Sequence, residues 1–344
     1  MNAISLPAHF DSIEAVDAFM TSPSAALVAD LAATPGDILV LGVAGKMGPT
    51  LAHLAKRAAP AKRVIGVARF SEPGVRESLD KAGVETIVAD LLDRAALEKL
   101  PRPANVVFMA GRKFGATGDV PLTWAMNVQV PAMVAEIFKA SRIVAFSTGC
   151  VYPFVSVAGG GATEDVPPLP PAGDYATSCV GRERMFEYFS GLHRTAGRLF
   201  RLNYAIDMRY GVLHDVGRKV RDDEEIDLAM GHVNVIWQGD ANTIALRCLA
   251  HATTPTTPIN VTGPETIEVS WLAGEFGRLL GKKPRLAGTP AATGWLSNAS
   301  RMVREFGAPG VPLARMIEWT ADWLAHDRAT FNKPTHYEVR DGRY

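Results

Sequence analysis

The order of elements along this sequence predicts an α/β fold: a doubly wound parallel sheet, with a helical extension before it and a smaller lobe after it. Three observations carry the prediction. Short, nearly continuous apolar runs recur at residues 38–43, 63–68, 85–89, 105–110 and 142–147, the pattern of strands buried on both faces. Helix-like segments beginning near Met47, Pro73, Arg94 and Pro121 separate them, and right-handed crossovers lay such helices on both faces of a parallel sheet. The first run passes through a glycine-rich turn directly into a helix.

Composition agrees with a large packed core. The 344 residues are 47% hydrophobic and 21% charged, which argues against disorder. Basic and acidic side chains number 36 each, for a formal net charge of zero. A whole-chain affinity for nucleic acid or an anionic membrane shows as excess Lys and Arg, so neither partner is expected. The three cysteines, Cys150, Cys179 and Cys248, are too few for a disulfide framework and lack zinc-ligand spacing. They predict a reduced, cytoplasmic setting and no metal. Residues 1–9 carry no cationic leader, and no apolar run nears the ~18–20 residues of a membrane span.

Residues 1–36 form the helical extension. Two short helices are expected over 10–33, the second capped by Ser24, as a surface cap or oligomer contact. A nucleotide-binding unit is expected over 37–203, and residues 204–344 form mainly a substrate lobe, with some segments returning to the core. Beyond residue 150 the pattern loosens. Gly159-Gly160-Gly161 and Pro167-Pro168-Leu169-Pro170-Pro171 mark a loop. A helix starts near Tyr175 and a strand covers 199–203. An irregular polar stretch runs from 210 to 231, followed by a strand at 259–262 and helices at 269–280 and 313–325. The acidic run Asp222-Asp223-Glu224-Glu225 reads as a solvated loop face that disfavours an anionic ligand beside it.

The turn after the first strand is Gly42-Val43-Ala44-Gly45-Lys46-Met47-Gly48, a GxxGxxG pattern. Its glycines permit a tight turn, admit a pyrophosphate to the backbone N–H groups and bring helix against strand. The helix N-terminus then faces the phosphate charge. At the end of the second strand an acid would hold the ribose hydroxyls of NAD, but the strand ends in Ala68-Arg69. Arg69 suits a 2′-phosphate, with Lys46 adding charge, so NADP is favoured over NAD. Asp90, before Leu91, either accepts from an adenine amino group or caps the next helix. Ala110-Gly111 ends the fourth strand, where small residues let the backbone lie along a cofactor.

With these motifs the chain resembles the extended short-chain dehydrogenase/reductase superfamily, specifically the NAD-dependent epimerase/dehydratase family, over residues 37–325. The resemblance implies a Rossmann-type fold and places the family's positions at Gly42/Gly45/Gly48, Asp90, Asn127 in Met126-Asn127-Val128, Thr148 in Ser147-Thr148-Gly149, and Tyr175. Weaker echoes are Arg201-Leu202-Asn203, Gly239-Asp240-Ala241 and Ile259-Asn260-Val261-Thr262-Gly263. It implies a catalytic set of Thr148, Tyr175 and Asn127, with a sugar or nucleotide-sugar substrate oxidised, reduced, epimerised or dehydrated by hydride transfer. Lys113, Thr148, Asn203 and Arg209 are the expected substrate contacts, and homodimers pair through the helices starting near Pro121 and Tyr175.

One departure matters. The family's Tyr-x-x-x-Lys lysine is replaced by Cys179. A free phenol has a pKa of about 10 and becomes useful near neutrality when a cation stabilises its anion. A thiol cannot supply that charge. Arg182, one turn further on, and Lys113 are the candidates to replace it. The alternatives are altered chemistry involving Cys179, or a cofactor-binding regulator that does not turn over.

Overall fold

The computed structural model describes residues 6–113, 115 and 118–342. Part of the N-terminal stretch read for a leader, residues 1–5, lies outside them. Two short helices come first, α1 (Ile13–Met20) and α2 (Ala25–Ala33). Ser12 and Ser24 cap them, accepting from the N–H groups of Ala15 and Leu27 at 3.2 Å each. The extension is more than a surface cap. Phe10 and Phe19 pack against Trp319 with ring centroids 4.9 and 5.5 Å away, while Leu27 and Leu31 join the main core.

Seven strands form one parallel sheet: β1 (Ile38–Leu41), β2 (Val64–Ala68), β3 (Glu85–Val88), β4 (Asn105–Phe108), β5 (Arg142–Thr148), β6 (Gly197–Leu202) and β7 (Thr257–Val261). Their spatial order is β7-β6-β5-β4-β1-β2-β3. The order reverses between β1 and β4, which opens a crevice at the carboxyl ends of those strands. Every residue of β1 and β4 is buried, the reason these runs are continuously apolar.

Connecting helices cover both faces: α3 (Gly48–Ala58), α4 (Val75–Lys81), α5 (Arg94–Lys99), α6 (Val120–Trp124), α7 (Val130–Ile137) and the long α8 (Asp174–His193). A π turn at Ala125–Gln129 separates α6 from α7. Asp93 caps α5 through the N–H groups of Ala95 and Ala96, so helix capping falls to it; Asp90 holds the preceding turn by accepting from Leu92 N–H at 3.0 Å.

The remaining helices are α9 (Val212–Arg221), α10 (Gln238–Arg247), α11 (Val269–Leu280), α12 (Ser300–Phe306) and α13 (Leu313–Ala325). A second core gathers on α9, α11 and α13, with Val212, Val216, Phe276 and Trp323 inside it. The stretch expected to be irregular contains α9. Val212, Val216 and Val220 repeat at helical spacing along its buried face. The acidic run beyond it is a solvated face, with Asp222 and Glu224 paired to Arg218 and Asp222 also to Arg221. After α13 the chain carries little regular structure, and its residues 328–342 fold back as a strap toward the crevice.

Candidate active site

The glycine turn is held from inside. Gly42 has φ +86°, in the left-handed region, and a Cβ there would lie 2.7 Å from the Ala110 nitrogen. At Gly48 a Cβ would lie 2.2 Å from the Val43 carbonyl oxygen, so only glycine lets α3 sit this close to β1. Gly45 differs: its Cβ would meet only the Gly42 oxygen, at 3.5 Å. The turn therefore presents backbone to open crevice, as a bound pyrophosphate requires.

Two cavities flank this turn. One, of about 220 Å³, is lined by Gly42, Gly45, Arg69, Asp90, Leu91, Ala110 and Gly111, among others. The residues expected to hold an adenosine thus line one groove, where Arg69 is exposed at the end of β2 beside Phe70 and Ser71. The second, of about 270 Å³, runs from Gly45, Lys46, Met47 and Gly48 to Thr148, Cys150, Tyr175, Lys113, Asn203 and Thr335. Together they form a continuous cradle for a dinucleotide, and the residues present fit that group.

At the second cavity, Tyr175 stands in the first turn of α8 and Thr148 at the end of β5. Burial pushes the Tyr175 phenol well up, and the neighbouring Cys179 and Cys150 add to that; the Arg182 charge and the hydrogen bond with Thr148 pull the other way. The phenol therefore keeps its proton. Thr148 also turns the backbone, its hydroxyl accepting from Cys150 N–H at 3.1 Å.

Cys179 is fully buried against Val151, Tyr152 and Ala162. Burial pushes its thiol up to about 11, so it is neutral near neutral pH. Arg182 occupies the space behind it. Its guanidinium donates to the Asn127 Oδ1 at 2.6 Å and to the Phe146 carbonyl at 2.9 Å, both neutral acceptors, so its charge is not cancelled by either. A Cβ on Gly111 would lie 2.4 Å from this guanidinium, which explains the glycine at the end of β4. Asn127, in the π turn, clamps the backbone: it accepts from Arg112 N–H at 2.9 Å and donates to the Arg112 carbonyl and the Ser178 hydroxyl.

Lys113 comes to the crevice with its Nζ 6.0 Å from the Tyr175 ring centroid and 3.3 Å from the Thr335 carbonyl. Burial pushes its ammonium down. Lys46 does not face Arg69. Its Nζ points into the Tyr175 cavity, 3.3 Å from the Ala205 carbonyl and 3.7 Å from the Tyr210 ring centroid. Asn203 lines the same cavity and donates to the Trp295 carbonyl. Arg209, an expected substrate contact, is spent elsewhere: it pairs with Asp207 and Asp17 at 2.9 Å each and ties α1 to the lobe. A buried arginine held by two carboxylates lines a neighbouring cavity instead.

Glu183, Thr335 and Tyr210 were not singled out from the sequence. Glu183 forms a buried pair at 2.7 Å beneath the site with Arg201, one of the weaker motif echoes, joined to Ser147, Tyr152 and Asn260. Thr335 closes the cavity, and Tyr204 and Tyr210 wall it. The paired charges carry a faint signal, two arginines, Arg198 and Arg201, inside a short buried strand; Thr335 carries none, because nothing local marks a loop residue 160 positions after Tyr175 as its neighbour. Among the described residues no group of His, Cys, Asp or Glu is placed to hold a metal.

Residues 38–205 match the model of the NAD dependent epimerase/dehydratase family. That stretch, just under half of the chain, is similar to this family. No curated protein matches the sequence. Among solved structures the chain is similar to a UDP-glucose 4-epimerase of Thermus thermophilus in complex with NAD, at 20% identity over 83% of this chain and 98% of that one, with a TM-score of 0.68. A UDP-glucose 4-epimerase of Thermotoga maritima with UDP-glucose matches at 17% identity over 85% and 99%, TM-score 0.70. A UDP-glucuronic acid 4-epimerase of Bacillus cereus in complex with NAD matches at 18% over 84% and 99%, TM-score 0.68. About a sixth of this chain lies outside these matches. The epimerase/dehydratase fold thus spans nearly all of each relative, while this chain adds to it.

Proposed function

We propose that this protein is an NAD(P)-dependent oxidoreductase or epimerase of the epimerase/dehydratase kind, acting on a hydroxyl or keto group of a sugar or sugar-derived substrate, with Tyr175 as the acid–base group. One observation carries the proposal. The Tyr175 phenol, hydrogen-bonded with Thr148 and subject to the Arg182 charge, opens on a cavity that begins at the glycine turn. A nicotinamide bound in the crevice supplies hydride acceptance and donation. Thr148 and Tyr175 hold the reacting oxygen, and Tyr175, protonated in this environment, donates to a carbonyl oxygen as it becomes a hydroxyl. Arg182 takes the electrostatic role of the missing lysine by stabilising the phenolate from the same helix, and Asn127 is a positioning residue that fixes both Arg182 and the 110–112 backbone. Cys179, a neutral thiol, supplies packing. Asn203 and Lys113 are assigned to substrate.

The carbohydrate assignment draws on the solved relatives, which are named for UDP-sugars. NADP is preferred over NAD because Arg69 stands where an acid would hold ribose hydroxyls. We assign residues 37–203 to the cofactor and 204–344 mainly to substrate, and a cytoplasmic homodimer paired through α6 to α8, where Trp124, Tyr188 and Leu192 are exposed. The test is absorbance of reduced nicotinamide with NADP⁺, NAD⁺ and a panel of sugars, sugar acids and nucleotide sugars. Turnover that Tyr175→Phe abolishes supports the proposal. Turnover untouched by that variant overturns the catalytic assignment, and cofactor binding with no turnover on any substrate favours a regulator instead.

A further inference from the structure

The strap after α13 is tied to both sides of the crevice. At its inner end Thr335 donates from its N–H and its hydroxyl to the Asp215 carboxylate of α9, at 2.8 and 2.5 Å. Four residues earlier, Phe331 N–H donates to the Arg209 carbonyl at 3.1 Å, and the Arg209 guanidinium lies 4.9 Å over the Phe331 ring. Between them Lys333 reaches Glu72 at 3.8 Å. Glu72 stands on the loop after β2, whose Phe70 and Ser71 line the Arg69 groove. One short segment thus joins α9 to the rim of that groove.

The cavities put the glycine turn beneath this segment. Gly45 lines the Arg69 groove, the Tyr175 cavity and a third cavity of about 380 Å³. Phe331 and Lys333 line the third together with Pro49 and Thr50 in the first turn of α3, while Thr335 lines the Tyr175 cavity. Residues 331–335 therefore border two cavities that meet at Gly45, where a pyrophosphate approaches the turn. The two holds differ in strength. Thr335 is 1% exposed and its acceptor is a buried carboxylate, whereas the Lys333 and Glu72 side chains are 61% and 70% exposed, so water and salt screen that closure.

We infer that the strap is a clasp over the cofactor: residues 331–335 close on a dinucleotide bound at the glycine turn, and the nucleotide enters and leaves only when they lift from Asp215 and Glu72. The inference rests on the cofactor reading of the crevice proposed above. A gate of this kind sets entry and exit rates alike and leaves the equilibrium in place. A side chain that only touches the cofactor changes dissociation and affinity together.

Stopped-flow mixing of the cofactor-free full chain with NADPH, followed by nicotinamide fluorescence, tests the clasp, with displacement by excess NADP⁺ giving the dissociation rate. In the wild type the observed rate levels off as NADPH rises, and the plateau climbs with added salt as the Lys333–Glu72 pair is screened. Thr335→Val removes one hydrogen bond to a charged acceptor. It raises the plateau and the dissociation rate together by about tenfold and leaves the dissociation constant within about twofold. Glu72→Gln raises both rates by about two- to fivefold and abolishes the salt effect. A wild-type rate that stays proportional to NADPH overturns the clasp, as do variants that speed dissociation and weaken affinity by the same factor; either result leaves the cofactor reading intact. The wild-type concentration and salt series decide the matter even if Thr335→Val does not fold. NADPH and NADH that both fail to bind overturn the cofactor reading and the clasp with it.

Discussion

The two ends of the crevice are built from different materials. The end beside Arg69 is backbone and short side chains: Gly42, Gly45, Ala110 and Gly111 leave room, and Asp90 holds a turn. At the Tyr175 end, charge and long side chains from distant elements converge. Arg182 comes from α8, Lys113 from the loop after β4, Lys46 from the glycine turn and Thr335 from the strap. Backbone shape at the first end leaves little freedom for variation, since a Cβ at Gly42 collides with the Ala110 main chain. A charge at the second end needs only to arrive at the right place, and it can arrive from another position. On the proposed reading, that is how the chain dispenses with a lysine at 179: Arg182 brings a cation to the phenol from one turn further along α8.

The largest effect expected from breaking this contrast is at Tyr175. Tyr175→Phe removes the proton-transferring hydroxyl and lowers kcat by about 10²–10⁴-fold, the usual contribution of a positioned acid or base. Cofactor affinity, measured by fluorescence titration, stays within about twofold because the groove at Arg69 is untouched. A loss of cofactor binding of the same size as the loss of rate would show that the two ends are one unit.

Next comes restoration of the family lysine. Cys179 has no exposed surface and sits against Val151 and Tyr152, with Arg182 one turn away. Cys179→Lys overfills that space and buries a second cation next to the first, costing about 3–5 kcal/mol in denaturant unfolding. It brings no gain in rate. The double variant Cys179→Lys/Arg182→Met carries a single cation and recovers part of both. A rise in activity for the single variant would show that Arg182 had not taken over the role.

Arg182→Met alone removes one donor from the Phe146 carbonyl and one from the Asn127 Oδ1, which keeps the Arg112 N–H, and costs about 1–3 kcal/mol of stability. It also removes the charge that draws the Tyr175 pKa down, so the basic limb of the pH–rate profile moves to higher pH. Arg182→Lys keeps the limb in place if the charge matters and shifts it equally if only the packing does.

How much of this was legible in the sequence follows the same division. Strands β1 to β5 and the glycine turn were readable because each is fixed by neighbours a few residues away: continuous apolar runs, then glycines at fixed spacing. Arg182 was visible as a candidate from helical spacing, but its grip on Asn127 and Phe146 depends on how α8 lies across β5. Helix α9 was missed although Val212, Val216 and Val220 mark its buried face, since the charged residues 218–224 dominated the stretch. Arg209 was expected at the substrate and is held by Asp17, nearly two hundred residues earlier, a pairing that only the packing of α1 creates. The strap has no periodic signal, and its part in the site depends on Asp215 receiving Thr335.

The smallest effect tests the end that the sequence described best. Arg69 is exposed, so its contribution to cofactor choice is a solvent-screened charge–phosphate contact worth about 1–2 kcal/mol. Arg69→Ala should weaken NADP about tenfold and leave NAD nearly unchanged, measured as the ratio of the two dissociation constants, and raised salt should narrow that ratio in the wild type. Arg69→Asp adds repulsion toward a 2′-phosphate and offers ribose hydroxyls an acceptor, so it should move the preference further toward NAD. Equal weakening of both cofactors by Arg69→Ala would mean that Arg69 acts through the Phe70–Ser71 backbone. In that case even the more regular end of the crevice would depend on a side chain for its shape.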